Sequence, residues 1–170
     1  MHVNDRGLGE TLIYPFYSAA NANDTYIHVV NTTSYVKAVK VRFIEAQNSV
    51  EVLDFNLYLS PEDEWAGAIT IGENGGALLR TFDNSCTVPE LGTGDFGDEF
   101  DGEQYPSDDG TKTIRDQPFV NFAYLDDKAT LPAPGFDNTS VSRTLEGYVE
   151  IIEMGQLDSD EPDGWPYSGD

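Results

Sequence analysis

Residues 38–59, AVKVRFIEAQNSVEVLDFNLYL, decide the fold class. Val39, Val41 and Phe43 alternate with Lys40 and Arg42, and Leu53, Phe55, Leu57 and Leu59 alternate with Asp54, Asn56 and Tyr58. A period of two is the strand period, because successive side chains leave a strand on opposite faces. Each segment therefore buries one face, and Ala46, Gln47, Asn48 and Ser49 between them predict a hairpin. Lys40 is expected opposite Asp54 or Asn56 on the wet face. Glu51, between Val50 and Val52, is out of phase with Leu53 onward, so a β-bulge is expected near Val52 and Leu53.

Further strands are expected at Thr11–Tyr17, Thr25–Thr32, Trp65–Ile71, Ala77–Phe82, Phe119–Leu125 and Gly147–Met154, each rich in β-branched or aromatic residues and bounded by Gly, Asn, Asp or Pro. Pro15 lacks the donor that a central strand needs, which makes the first an edge strand or bends it there. With about eight strands and no convincing helical period, the expected fold is all-β. It is a two-sheet antiparallel sandwich, Ig-like or jelly-roll-like, with a barrel as the alternative. No internal repeat supports a solenoid or propeller.

A chain of 170 residues fills one core. The expected organisation is a single domain over residues 1–156, an acidic loop insertion at 94–116, and an acidic tail or linker at 157–170. Acids outnumber bases 31 to 9, a net charge of −22, which excludes a phosphate-backbone partner and repels an anionic membrane. No apolar run is long enough for a membrane-spanning helix, and MHVNDRGLGE lacks the apolar stretch of a signal peptide. Cys86 is the single cysteine, so no disulfide closes within the chain and a Cys/His zinc site lacks ligands.

Residues 92–97, GTGDFG, match the dinucleotide fingerprint GxGxxG, but no helix is expected after them and the acids that follow would repel a phosphate. A serine hydrolase is not supported: there is no GxSxG, and the imidazoles are His2 at the chain start and His28 in a strand with Tyr26 and Val30 on its face. Cys86 has only Arg80 near it in sequence as an activating cation and is read as a packed thiol or as one that pairs with a cysteine outside this chain. Paired carboxylates could support glycoside hydrolysis, though among 31 acids such a pair carries little specificity.

Calcium is the metal the loops could hold, since it takes hard oxygen ligands from acidic, Gly-rich turns. Asp95, Asp98, Glu99, Asp101, Glu103, Asp108 and Asp109 are the candidate ligands. The EF-hand template fails, because Gly97 would stand at its first position. Tyr14, Tyr17, Tyr26, Tyr35 and Tyr58 are the rings that could line an outer face and stack on sugars. Asn23, Asn31 and Asn138 stand in glycosylation sequons.

The blocks HVVNTT (28–33), AVKVRF (38–43), EVLDFNLYLSPEDEW (51–65), GALLRTFDNSCTVP (76–89) and EGYVEIIEMG (146–155) resemble an uncharacterised family of secreted proteins from marine and other aquatic Gram-negative bacteria. The resemblance covers about residues 10–90 and 143–156. It implies an exported, surface-associated β protein and supplies no catalytic residue. Members of that family run further than this chain, which implies a trimmed segment whose export signal has been removed and whose partner for Cys86 lies downstream.

The expected function is that of a non-enzymatic, extracellular or cell-surface module with a structural or adhesive role, meeting a surface polymer or another protein and stabilised, where the loop allows, by calcium. A carbohydrate-binding module is the first alternative and a polysaccharide hydrolase using paired carboxylates the second.

Overall fold

A computed structural model describes residues 9–94, 101–120 and 141–157. Ten strands follow one another among these residues: β1 (Thr11–Ser18), β2 (Thr25–Val30), β3 (Val36–Glu45), β4 (Glu51–Leu59), β5 (Glu64–Ile71), β6 (Ala77–Thr81), β7 (Cys86–Val88), β8 (Glu103–Pro106), β9 (Thr113–Pro118) and β10 (Glu146–Leu157). They form two antiparallel five-stranded sheets, β1-β10-β3-β4-β7 and β2-β5-β6-β9-β8, packed as a β-sandwich.

The hairpin forms as its alternation dictates. Lys40 lies opposite Asn56 and pairs its ammonium with Asp54 diagonally across the strands. Val41 and Phe55 are opposite each other and fully buried. Register passes from Phe43 opposite Leu53 to Ile44 opposite Glu51, so Val52 is the extra residue of a bulge. The connecting loop is held from beneath by Glu45, which is fully buried and whose carboxylate accepts the N–H groups of Gln47 (2.7 Å), Asn48 (2.8 Å) and Val50 (3.3 Å).

Pro15 acts in both ways expected of it. β1 is an edge strand, and its register with β10 shifts between Tyr14 and Tyr17. β10 runs longer than Gly147–Met154 because it pairs on both sides, with β1 and with β3. Gly147 sits where β10 crosses β3: a Cβ there would collide with the Ile44 carbonyl and the Tyr17 ring. Before β10, a 3-10 turn at Val141–Leu145 buries Arg143 and Thr144. Thr144 accepts the amide of Ala77 through its hydroxyl and the hydroxyl of Tyr17 through its carbonyl.

The core lies between the sheets. Phe43 and Phe55 of the first sheet meet Phe119 at 4.8 Å and Trp65 of the second sheet at 5.9 Å, respectively, between ring centroids. Fully burying a ring of this size contributes about 1.5–3 kcal/mol. Gly67 makes room for it, since a Cβ there would press on the Trp65 indole and Leu79.

Two expectations are corrected. Phe119 and Val120 are not in a strand: the Phe119 amide donates to Ala77 of the second sheet and the Val120 amide to Val52 of the first, so the chain crosses between layers. Residues 121–125 of that expected strand lie outside the described residues. The interval 94–116 is not one open loop either, because β8 and most of β9 fall within it and add a hairpin to the second sheet. The segment EQYP holds one large apolar side chain, too few to produce an alternation, and its strand state comes from pairing with β9. Among the described residues no helix is long and apolar enough to cross a membrane.

Candidate functional site

The outer faces of the two sheets differ in chemistry. On the first sheet the polar side chains neutralise one another in a ladder. Lys37 pairs with Glu153 (2.5 Å), Lys40 with Asp54, and Arg42 with both Glu51 (2.6 Å) and Glu150 (2.9 Å).

On the second sheet a single register row runs across all five strands: Tyr26 opposite Ala68, Ala68 opposite Arg80, Arg80 opposite Asp116, and Asp116 opposite Glu103. Partners in such a row share a face. Tyr26 is 79% exposed, and with His28 and Val30 it forms the outward phase of β2. The methyl groups of Ala66 and Ala68 leave the sheet surface low between Tyr26 and Arg80. Phe82, the residue after β6, adds a second exposed ring.

Beyond Arg80 the face dips into a cleft of about 500 Å³. Leu78 and Pro118, opposite each other on β6 and β9, give it an apolar floor. Glu73 and Asn74 of the β5–β6 turn stand on one side, and Asp101, Glu103 and Tyr105 on the other. Arg80 donates to Asp116 through Nε (2.7 Å) and Nη2 (2.5 Å), and the Tyr105 hydroxyl donates to the same carboxylate at 2.8 Å. These bonds push the Arg80 guanidinium above its ordinary value, the Asp116 hydrogen bond being the largest cause. Burial and the Asp116 carboxylate likewise raise the Tyr105 phenol. Arg80 is thus spent on Asp116, whereas the side chains of Glu73, Asp101 and Glu103 accept no hydrogen bond from any described residue.

The seven candidate calcium ligands are not all in one place. Asp95, Asp98 and Glu99 lie outside the described residues. Asp101 and Glu103 line the cleft. Asp108 and Asp109 stand on the turn joining β8 to β9, where Asp109 Oδ1 accepts the Ser107 hydroxyl (2.6 Å), the Thr111 hydroxyl (2.7 Å) and the Thr111 amide (3.0 Å). These bonds hold Asp109 down at about 2. No group of three or more His, Cys, Asp and Glu side chains placed to hold a metal occurs among the described residues.

Of the five tyrosines, Tyr17 is buried and its phenol is pushed up by burial and by Glu45, so it is no surface ring. Tyr14 is half-buried and ties β1 to β2 through its hydroxyl, which donates to the His28 carbonyl at 2.8 Å. Tyr58 shares the ladder face of the first sheet, and Tyr35 precedes β3. Only Tyr26 reaches the row described above. Tyr105 was missed in the sequence, where nothing in EQYP distinguishes it.

His28 Nε2 is 3.0 Å from Glu64 Oε2 on the outer face, and among the described residues no hydroxyl or thiol hydrogen-bonds to its ring. The Cys86 thiol is raised by burial and by Glu90, the opposite of an activated nucleophile. Asn31 is buried, donating to the carbonyls of Tyr35 (2.7 Å), Ser60 (2.8 Å) and Leu59 (3.3 Å), so that sequon is occupied by structure, whereas Asn23 is exposed.

Compared with protein-family models, curated proteins and solved structures, the chain matches none.

Proposed function

We propose that the chain is a non-enzymatic, extracellular or cell-surface β-sandwich module with a structural or adhesive role, and that it meets its partner with the outer face of the second sheet. The observation that carries this reading is the contrast between the faces. The charges of the first sheet satisfy one another, while the second presents Tyr26 at 79% exposure beside a low strip of alanines and a 500 Å³ cleft. The net charge of −22 favours solubility in salt water, consistent with an exported protein. Asp116 is committed to Arg80 and Tyr105, which makes it an anchor in the cleft.

A carbohydrate-binding module is the second reading, favoured by the exposed Tyr26 ring and by Tyr105 at the far end of the same face. Aromatic faces supply rigid apolar area against the C–H faces of sugars. Co-sedimentation of the purified chain with insoluble cellulose, chitin, chitosan and agarose tests both points. The expected result is retention that Tyr26→Ala lowers about fivefold without a change in melting temperature, and no soluble sugar released. Release of soluble sugar, or retention indifferent to Tyr26→Ala, would overturn the proposal.

A further inference from the structure

We infer that Asn74 and Gly75, in the turn between β5 and β6, are a self-modifying site: the Gly75 backbone nitrogen attacks the Asn74 side-chain amide, ammonia leaves, and water opens the resulting succinimide to iso-aspartate or aspartate.

The sequence singles out the pair, because Asn74 alone of the ten asparagines is followed by glycine. Attack needs the next residue's nitrogen to approach the side-chain carbonyl carbon. A Cβ on that residue obstructs the approach, whereas glycine has none and turns freely. The structure adds three conditions. Asn74 is exposed, so base and water reach it. Gly75 has a φ of 82°, and a Cβ built on it would meet nothing within 4 Å, so the tip of the turn has room to move. The Gly76 N–H donates to Asn74 Oδ1 at 3.0 Å, which folds the side chain back over the following backbone and places a donor on the oxygen where charge develops. One bond opposes attack, from the Gly75 N–H to the Gly72 carbonyl at 3.0 Å. Giving up a single bond of this kind slows the step only about fivefold.

The Gly75 nitrogen loses its proton to solvent base and forms the bond to Cγ, the Cγ–Nδ2 bond breaks, and the nitrogen leaves as ammonia. Water entering at Cγ then gives aspartate. Water entering at the backbone carbonyl gives iso-aspartate, in which the main chain runs through Cγ and is one methylene longer. Both products add a negative charge to the wall of the cleft that Asn74 lines. Only aspartate keeps the side-chain acceptor for Gly76. Gly76 has no freedom to follow a longer chain: a Cβ on it would stand 2.4 Å from Val141 Cγ2, its carbonyl accepts the Gly72 amide at 2.7 Å, and the next amide, of Ala77, donates to Thr144 Oγ1 at 2.8 Å. Iso-aspartate therefore breaks the bond between residues 74 and 76 and loosens the hairpin.

The test is to age the purified chain in warm, mildly alkaline buffer, separate the forms by anion exchange, and locate the gain of about 1 Da by peptide mass spectrometry. Asn74 should convert at least about tenfold faster than Asn48 and Asn84, whose following serines carry a Cβ. The more anionic form should not accumulate at that rate in Asn74→Gln. The iso-aspartyl form should melt about 2–4 °C below Asn74→Asp, which carries the same charge on a chain of normal length. Conversion of Asn74 no faster than that of Asn48 or Asn84 would overturn the inference, as would undiminished accumulation in Asn74→Gln. An iso-aspartyl form that melts with Asn74→Asp would overturn the loosening of the hairpin.

Discussion

Arg80 and Asp116 are opposite each other on β6 and β9 and join through two parallel hydrogen bonds, with the Tyr105 hydroxyl on the same carboxylate. This arrangement ties β6, β9 and β8 together on the outside of the second sheet and neutralises the one guanidinium among the described residues that line the cleft. Asp116→Asn breaks the charge match and frees Arg80. Because Arg80 is partly solvated, the stability lost should be modest, about 1 kcal/mol. Urea unfolding reads that change as a small shift of the midpoint with the slope kept.

Glu45 and Arg143 make a different kind of pair. Both are buried, at 3.3 Å, and Glu45 also caps three amides of the β3–β4 loop. Removing the carboxylate takes one acceptor from those amides and one anion from beside a buried guanidinium. Glu45→Ala should therefore destabilise the protein by about 3–5 kcal/mol, measured by chemical denaturation.

Asn31→Ala deletes the donor to three loop carbonyls in a buried position. The expected cost is about 1–3 kcal/mol, read from the same denaturation curves. Asn23→Ala, at an exposed position with one bond to the Ala20 carbonyl, should cost far less.

Asp109 gives a pH dependence with a definite sign. Its folded value is depressed from 3.8 to about 2 by the Ser107 and Thr111 donors, so ionised Asp109 favours the folded turn. That contribution is fully present above the unfolded value near 4 and is lost as pH falls toward about 2. The chemical shifts of the Thr111 amide should titrate with a midpoint near 2, and Asp109→Asn should abolish that transition.

The hairpin of residues 38–59 was legible because its apolar residues alternate over two full strands, and the bulge was legible because Glu51 breaks the phase. The β8–β9 hairpin was not. Its segments EQYP and TIRDQP place Tyr105 and Ile114 among polar residues with no sustained alternation, and pairing decides that they are strands. The outer face of the second sheet was partly legible: Tyr26 stood out as a ring that could face outward, and Asp101 and Glu103 as candidate calcium ligands. Their meeting with Arg80, Asp116 and Tyr105 depends on cross-strand register between segments up to 90 residues apart, which no local pattern encodes. Buried Glu45 and Arg143 were hidden for the same reason, since each looks like an ordinary surface charge until the layers close.

Hydroxyl-radical footprinting of the chain held on the insoluble polymer that retains it tests the central claim most directly, because it reads side-chain exposure ring by ring. The account predicts protection of Tyr26, Phe82 and Tyr105, with Ile13 and Phe16 of β1 and Tyr58 of the first sheet as reactive as in the free protein. Protection of Tyr58 and Ile13 with Tyr26 still fully reactive would place the partner on the opposite face and contradict it.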